Sequence, residues 1–216
     1  MKRIGIAALS AASLLAAGAA TAAAPQWNYG QIGYIQGDGF EDSGESDGFT
    51  IDASVGFLNN WHFQLGYQDG TINDSFGDTD FDGYKATLGF HQAISSTGNT
   101  ELVVNANYFD LTYDEDGTSA DIDTDGYGLG FGLRSMISDK VELEGMINWT
   151  KGTVDPDFAS SEDYTNTSLQ VGGRYHWIPS LSTGITLYVN GNNDAVSFFG
   201  GDTAVFDVRY SFGTGF

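Results

Sequence analysis

The sequence predicts an all-β protein: a closed antiparallel transmembrane β-barrel of ten strands, with eight as the alternative, carrying its apolar face outward. Three observations predict it. The chain opens with an export leader, apolar and polar residues alternate with period two almost everywhere after it, and the connections between alternating runs are short and long by turns. Period-two alternation is the mark of a strand with two unlike faces.

The leader is read from Met1-Lys2-Arg3, an apolar alanine-rich run from Ile4 to Ala20, and the small residues Thr21 to Ala24. A basic start, an apolar middle and an A-x-A-like end make a signal peptide, expected over 1–23, with the barrel domain over 24–216. The run is too short and too rich in small residues for an anchor helix. Beyond Pro25 no stretch has the eighteen or so apolar residues of a spanning helix. The chain has no cysteine, so an exported fold must hold without disulfides.

Charge narrows the function classes. Lys and Arg total 8 against 29 Asp and Glu, and two of the basic residues, Lys2 and Arg3, lie in the leader. A phosphate backbone needs basic contacts, so nucleic acid is not an expected partner.

The strands follow in order. A less regular one runs near Trp27 to Gln36. Phe49, Ile51, Ala53, Val55 and Phe57 share the apolar face of the second, and Trp61, Phe63, Leu65 and Tyr67 that of the third. Tyr84, Ala86, Leu88 and Phe90 continue the series, then Leu102, Val104, Ala106 and Tyr108, then Tyr127, Leu129, Phe131 and Leu133. Val141, Leu143, Ile147 and Trp149 make the seventh, Leu169, Val171, Tyr175 and Trp177 the eighth, Leu181, Ile185, Leu187 and Val189 the ninth, and Phe206, Val208, Tyr210 and Phe212 the last.

Tight turns are expected at 58–60, 95–99, 137–139 and 178–180, and long loops at 37–48, 70–80, 114–123, 153–164 and 191–201. Four short and five long connections require ten strands and put both chain ends at the short-turn side. Three-residue turns keep the apolar faces aligned if Phe57 opposes Trp61, Met136 opposes Lys140 and Trp177 opposes Leu181, with Asn60, Asp139 and Ser180 in the left-handed position.

Alternation alone leaves the inside undetermined. The apolar face is assigned outward because the chain is exported and because strands of about nine to eleven residues suffice to cross when tilted. The apolar rows also carry aromatics at two levels: Phe57, Trp61, Phe90 and Trp177 at one, Phe49, Tyr84, Tyr127 and Trp149 at the other. Interfacial girdles look like this.

The end of the chain supports the same assignment. Val208, Tyr210, Phe212 and Phe216 resemble the C-terminal strand of bacterial outer-membrane proteins, a resemblance that implies recognition by the barrel-assembly machinery; Thr214 departs from it. Across the mature chain the layout resembles the small OmpA/OmpX/OmpW-like barrels. That resemblance implies a Gram-negative outer-membrane location with both termini periplasmic, and lipid and lipopolysaccharide as surroundings. It implies little about function, which varies among such barrels.

Two constellations could carry chemistry. Asp78, Asp80 and Asp82 before Gly83, and Asp121, Asp123 and Asp125 before Gly126, copy the first half of a calcium loop; the twelfth positions, Gly89 and Gly132, break the second half. Solvated acidic loops are the plainer reading, and weak Ca2+ or Mg2+ binding the sharper one; no other cofactor is expected. The Asp-Gly-aromatic segments at 47–49, 82–84 and 125–127 form a weak repeat, in which Gly relieves the backbone at the rim and the aromatic starts a girdle.

The second constellation is in the lumen. Parity turns His62, His91, Arg134, Arg174 and His176 inward near the short turns, with Glu101, Glu142 and Glu144; Arg134 is expected opposite Glu142 and His91 opposite Glu101. Asp207 and Arg209 extend the set. A charge-paired plug is the plain reading, because polar groups in a narrow lumen must satisfy one another; a selectivity constriction or pH gate is the functional one. Ten-stranded proteases resembling omptins carry acidic residues and His at the external rim. Here all three His lie at the other end, so no enzyme is expected.

The function expected is that of a small, monomeric envelope barrel with acidic external loops, structural or surface-interacting. A narrow porin-like channel for small solutes or cations is the alternative, and a divalent-cation-binding adhesin a weaker one.

Overall fold

The computed structural model describes residues 24–38, 44–74, 77–115, 121–157, 159–191 and 202–212. The expected leader and Phe216 lie outside them. Ten strands form: β1 (Tyr29–Asp38), β2 (Gly44–Phe57), β3 (Trp61–Asp74), β4 (Gly77–Ala93), β5 (Thr100–Glu115), β6 (Asp121–Met136), β7 (Val141–Pro156), β8 (Glu162–Ile178), β9 (Leu181–Asn190) and β10 (Thr203–Ser211). Each pairs antiparallel with its sequence neighbours, and β1 pairs with β10 from Tyr29↔Ser211 to Gly37↔Thr203, which closes the barrel. Closure leaves no free edge, the condition for strands in a bilayer.

The expected inversion of inside and outside holds. Leu65, Leu88, Leu129, Phe131, Ile147 and Val208 are among the large apolar side chains that stand exposed on the outer wall, while Thr50, Ser54, His62, Arg134, Glu142 and Asp207 are buried within. Girdle contacts follow from cross-strand neighbours, such as Trp61 against Phe90 at 5.3 Å and Tyr67 against Tyr84 at 5.1 Å between ring centroids.

Three expectations need correction. First, the strands overrun four of the five long loops, and several reach 16 or 17 residues. Asp78, Asp80 and Asp82 therefore lie on β4, and Asp121, Asp123 and Asp125 on β6, not in loops. Second, the turns at 94–99 and 137–140 are longer than assumed. His91 opposes Val103 and Arg134 opposes Glu144, each register displaced by two residues, so the face assignment survives. At the β8–β9 turn the ladder pairs His176 with Ser182, and a bulge then sets Ile178 opposite Leu181. Third, the left-handed residues of the β2–β3 turn are Leu58 and Asn59, with φ of 49° and 62°. Asn60 instead turns to β4: its carbonyl accepts from the His91 N–H at 2.8 Å and its side-chain amide donates to the His91 carbonyl at 2.8 Å.

Above the aromatic level at the long-hairpin end, the polarity of the strands reverses. Phe109, Leu111 and Tyr113 of β5 point inward and join Ile72 and Phe81 in a buried apolar cluster, with Ile122 and Tyr164 against it. Asp80, Asp114, Asp121, Asp123 and Asp125 face out. Alternation is unbroken through the switch, but the face that carries the apolar residues changes.

Two glycines of the Asp-Gly-aromatic repeat, Gly83 and Gly126, stand with Gly70 and Gly152 opposite large inward side chains, whereas Gly48 of the repeat lies opposite Gly70. Gly70 lies opposite Phe81, Gly83 opposite Leu111, Gly126 opposite Phe109 and Gly152 opposite Tyr164. A Cβ on Gly126 would stand 2.7 Å from Phe109 Cζ, and one on Gly70 2.7 Å from Phe81 Cζ. These glycines keep negative φ; they leave room for an inward ring or, at Gly83, for the Leu111 side chain.

Candidate functional site in the barrel lumen

The lumen has three levels. At the short-turn end, inward parity on six strands gathers the ion network. Glu142 of β7 is its centre: Oε1 accepts from Arg134 Nε at 2.8 Å and lies 3.8 Å from Arg209 Nη1, and Oε2 is 3.3 Å from His176 Nε2. Arg174 Nη1 pairs with Asp207 Oδ1 at 2.7 Å. Gln31 Oε1 ties the two groups together, accepting from Arg209 Nε at 2.8 Å and Arg174 Nη2 at 3.2 Å. His91 Nδ1 stands 3.4 Å from Glu101 Oε1. Every ionisable member of that set is at least nine-tenths buried as a side chain. A carboxylate among guanidinium groups in a low-dielectric lumen is retained only because it is paired on several sides.

The structure thus brings together His91, Glu101, Arg134, Glu142, Arg174, His176, Asp207 and Arg209. It separates two expected members. Glu144 sits one level further in and accepts from Gln170 Nε2 at 2.8 Å. His62 contacts a ring in place of a carboxylate.

That ring belongs to Trp27, expected at the start of the first strand but lying two residues before β1. Trp27 precedes β1 and turns into the short-turn opening. Its indole stacks on His62 at 4.0 Å and His91 at 4.6 Å between centroids, with the Arg134 guanidinium 4.5 Å from the ring centre. Its Nε1–H donates to Glu101 Oε2 at 2.7 Å. Tyr29 plays a smaller version of the part, with Arg209 3.9 Å from its ring centre.

The middle level is a polar cavity of about 120 Å³, lined in part by Trp27, Asp52, Lys85, Asn105, Glu144 and Tyr188. Lys85 and Asp52 were legible as inward by parity; nothing marked them as neighbours of one space. The third level is the apolar cluster at the long-hairpin end.

The acidic triads do not converge. On a strand, alternate residues repeat at about 6.8 Å along one face, so Asp78, Asp80 and Asp82 form one row and Asp121, Asp123 and Asp125 another, both on the outer wall. Among the described residues no group of three His, Asp or Glu side chains is placed to hold a metal ion. The carboxylates crowd one another: the Asp121 carboxyl is raised above its ordinary value, foremost by a hydrogen bond with Asp114 and by its charge, and Asp82 is raised by burial and then by Asp69 and Asp110. Val208, Tyr210 and Phe212 stand exposed on the outer face of the closing strand and just past it.

A family model described as outer membrane protein beta-barrel domain matches residues 4–177. The chain belongs to the outer-membrane β-barrel family. A search of curated proteins finds no match to the sequence. Among solved structures, the translocator domain of the autotransporter NalP from Neisseria meningitidis is similar over 98% of this chain and 95% of its own, with 12% identity and a TM-score of 0.55, which supports the fold alone. The NanC porin aligns over 87% of this chain and all of its own at 10% identity and a TM-score of 0.45. The KdgM porin aligns over 85% and 99% at 11% and 0.41. Membership of the family places the protein in the outer membrane and makes the exposed apolar wall its lipid-facing surface.

Proposed function

We propose that this protein is a non-conducting envelope barrel, structural and surface-presenting, with its acidic hairpins outside and both termini in the periplasm. The observation that carries the reading is the lumen's double filling: a buried, mutually paired ion network with an indole at the short-turn end, and a packed apolar cluster at the other. Between them the cavity of about 120 Å³ has room for a few waters. Short turns at one end and long hairpins at the other support this orientation. The role is non-catalytic. His91 and His176 each face a carboxylate and His62 a ring, so the imidazoles serve the network.

Conductance of the refolded protein in a planar bilayer tests this. Silence is the expected result. Steady openings that favour cations would replace the reading by the narrow channel, drawn by an acidic mouth.

A further inference from the structure

We propose that segment 25–28 is a displaceable latch, and that the place its Trp27 occupies is an indole-binding seat sealing the mid-lumen cavity from the short-turn side. The inference rests on the closed-lumen reading and names the part that can open.

Position is the first ground. Trp27 lies before β1 and outside its ladder, yet its contacts come from β3 (His62), β4 (His91), β5 (Glu101) and β6 (Arg134). In a ring of ten strands β6 is five places from β1 in either direction. The segment enters at one wall and its ring reaches groups on the opposite one, so the indole lies across the opening as a crossbar. The same ring forms part of the cavity wall above it.

The second ground is the chemistry of the seat. Two imidazoles lie near-parallel to the indole, at 18° and 24°, the Arg134 guanidinium adds a cation–π contact, and Glu101 supplies one acceptor where the ring N–H points. A flat slot with a single carboxylate at its edge suits a planar aromatic N–H donor. Phenylalanine would lose the bond to Glu101 and leucine the stacking as well.

The third ground is how lightly the segment is tied. Asn28 anchors it: its side-chain oxygen accepts from Gly56 N–H at 2.7 Å and its carbonyl from Phe212 N–H at 3.0 Å. Residues 25–27 make no ladder hydrogen bonds with the barrel. Release of the indole therefore costs one hydrogen bond, two imidazole stacks and one cation–π contact, and no strand pairing.

The chain has no cysteine, so one introduced thiol reports access. Asn105 lines the cavity, and Asn105→Cys in protein refolded in detergent would be labelled with a charged methanethiosulfonate. Adding Trp27→Gly should speed labelling about tenfold or more, since access then no longer waits on local opening. Millimolar free indole should return the rate toward that of Asn105→Cys alone, as a ligand refills a hole of its own shape. Equal rates with and without Trp27 would overturn the latch, and so would acceleration that indole leaves unchanged. Should Trp27→Gly lose the heat-shifted mobility of the folded barrel, Trp27→Leu fills the volume without stacking or donating; it must also label faster, and an unchanged rate overturns the proposal. Conductance of the unaltered barrel bears on the closed lumen, whereas the ratio of labelling rates bears on the latch alone.

Discussion

On β6 the outward residues Leu129 and Phe131 and the outward residues Asp121, Asp123 and Asp125 belong to one face of one strand. Tyr127 stands between them. Below it the barrel is apolar outside and polar inside; above it the barrel is acidic outside and apolar inside, around Phe109, Leu111 and Tyr113. The backbone does not change, and neither does the alternation. The solvent changes. In lipid the ionic side chains turn to the lumen and pair there, as around Glu142. In water the ordinary burial of apolar groups returns, and the carboxylates take the outer wall. Tyr84, Tyr108 and Tyr127 mark the level at which one rule replaces the other.

The largest effect that would break this comparison lies in the lumen of the lower region. Glu142→Ala leaves Arg134, Arg209 and His176 without their shared partner; the expected loss is about 3–5 kcal/mol in urea unfolding from lipid vesicles. A loss below about 1 kcal/mol would mean that water reaches the network and screens it.

On the outer wall, Phe131→Arg should cost about 2–4 kcal/mol by the same measurement. Asp123→Arg, eight residues away on the same face, should stay within about 0.5 kcal/mol. Equal costs would erase the boundary at Tyr127.

Gly126→Ala sharpens the reading of the upper region. Its Cβ would meet the Phe109 ring at 2.7 Å and the Lys151 carbonyl oxygen at 2.7 Å, so overpacking of about 1–3 kcal/mol is expected. Combined with Phe109→Leu, part of that loss should return.

The smallest effect is electrostatic. Asp121 and Asp82 hold their protons more tightly folded than unfolded. Their contribution to stability is full below the ordinary carboxylate range and is lost as pH rises through their raised values. Hydrogen exchange in the upper halves of β4 to β6 should therefore be slower at about pH 5 than at about pH 7, beyond the intrinsic pH effect on exchange, and Asp121→Asn should narrow the gap.

Most of the barrel was legible because a strand's face is set by parity, and parity tolerates error. The turns after β4 and β6 were misjudged, yet a register displaced by two residues leaves His91, Glu101, Arg134 and Glu142 on the same side. The strand ends were not legible. Composition points to loops in the Asp-rich runs, although Asp78-Thr79-Asp80-Phe81-Asp82 alternates carboxylates with strand-forming residues and so keeps the strand signal throughout. The role of Trp27 was missed for another reason. It belongs to no strand, and parity says nothing about a residue that enters the lumen from outside the ladder. Lys85 and Asp52 alternate with the outward rows of β4 and β2 and so face inward, but the cavity they share depends on how ten strands tilt and stagger.

The boundary itself can be measured most directly with nitroxide labels at single cysteines introduced in turn at positions 121 to 131 of β6 in lipid vesicles. At 129 and 131 oxygen should relax the label more than a water-soluble nickel complex, and at 121, 123 and 125 the nickel complex should dominate, with the crossover at 127; labels at 122 and 124 should be shielded from both. Oxygen dominance continuing to 121, or strong nickel access at 122 and 124, would contradict an apolar-filled barrel standing in water above the membrane.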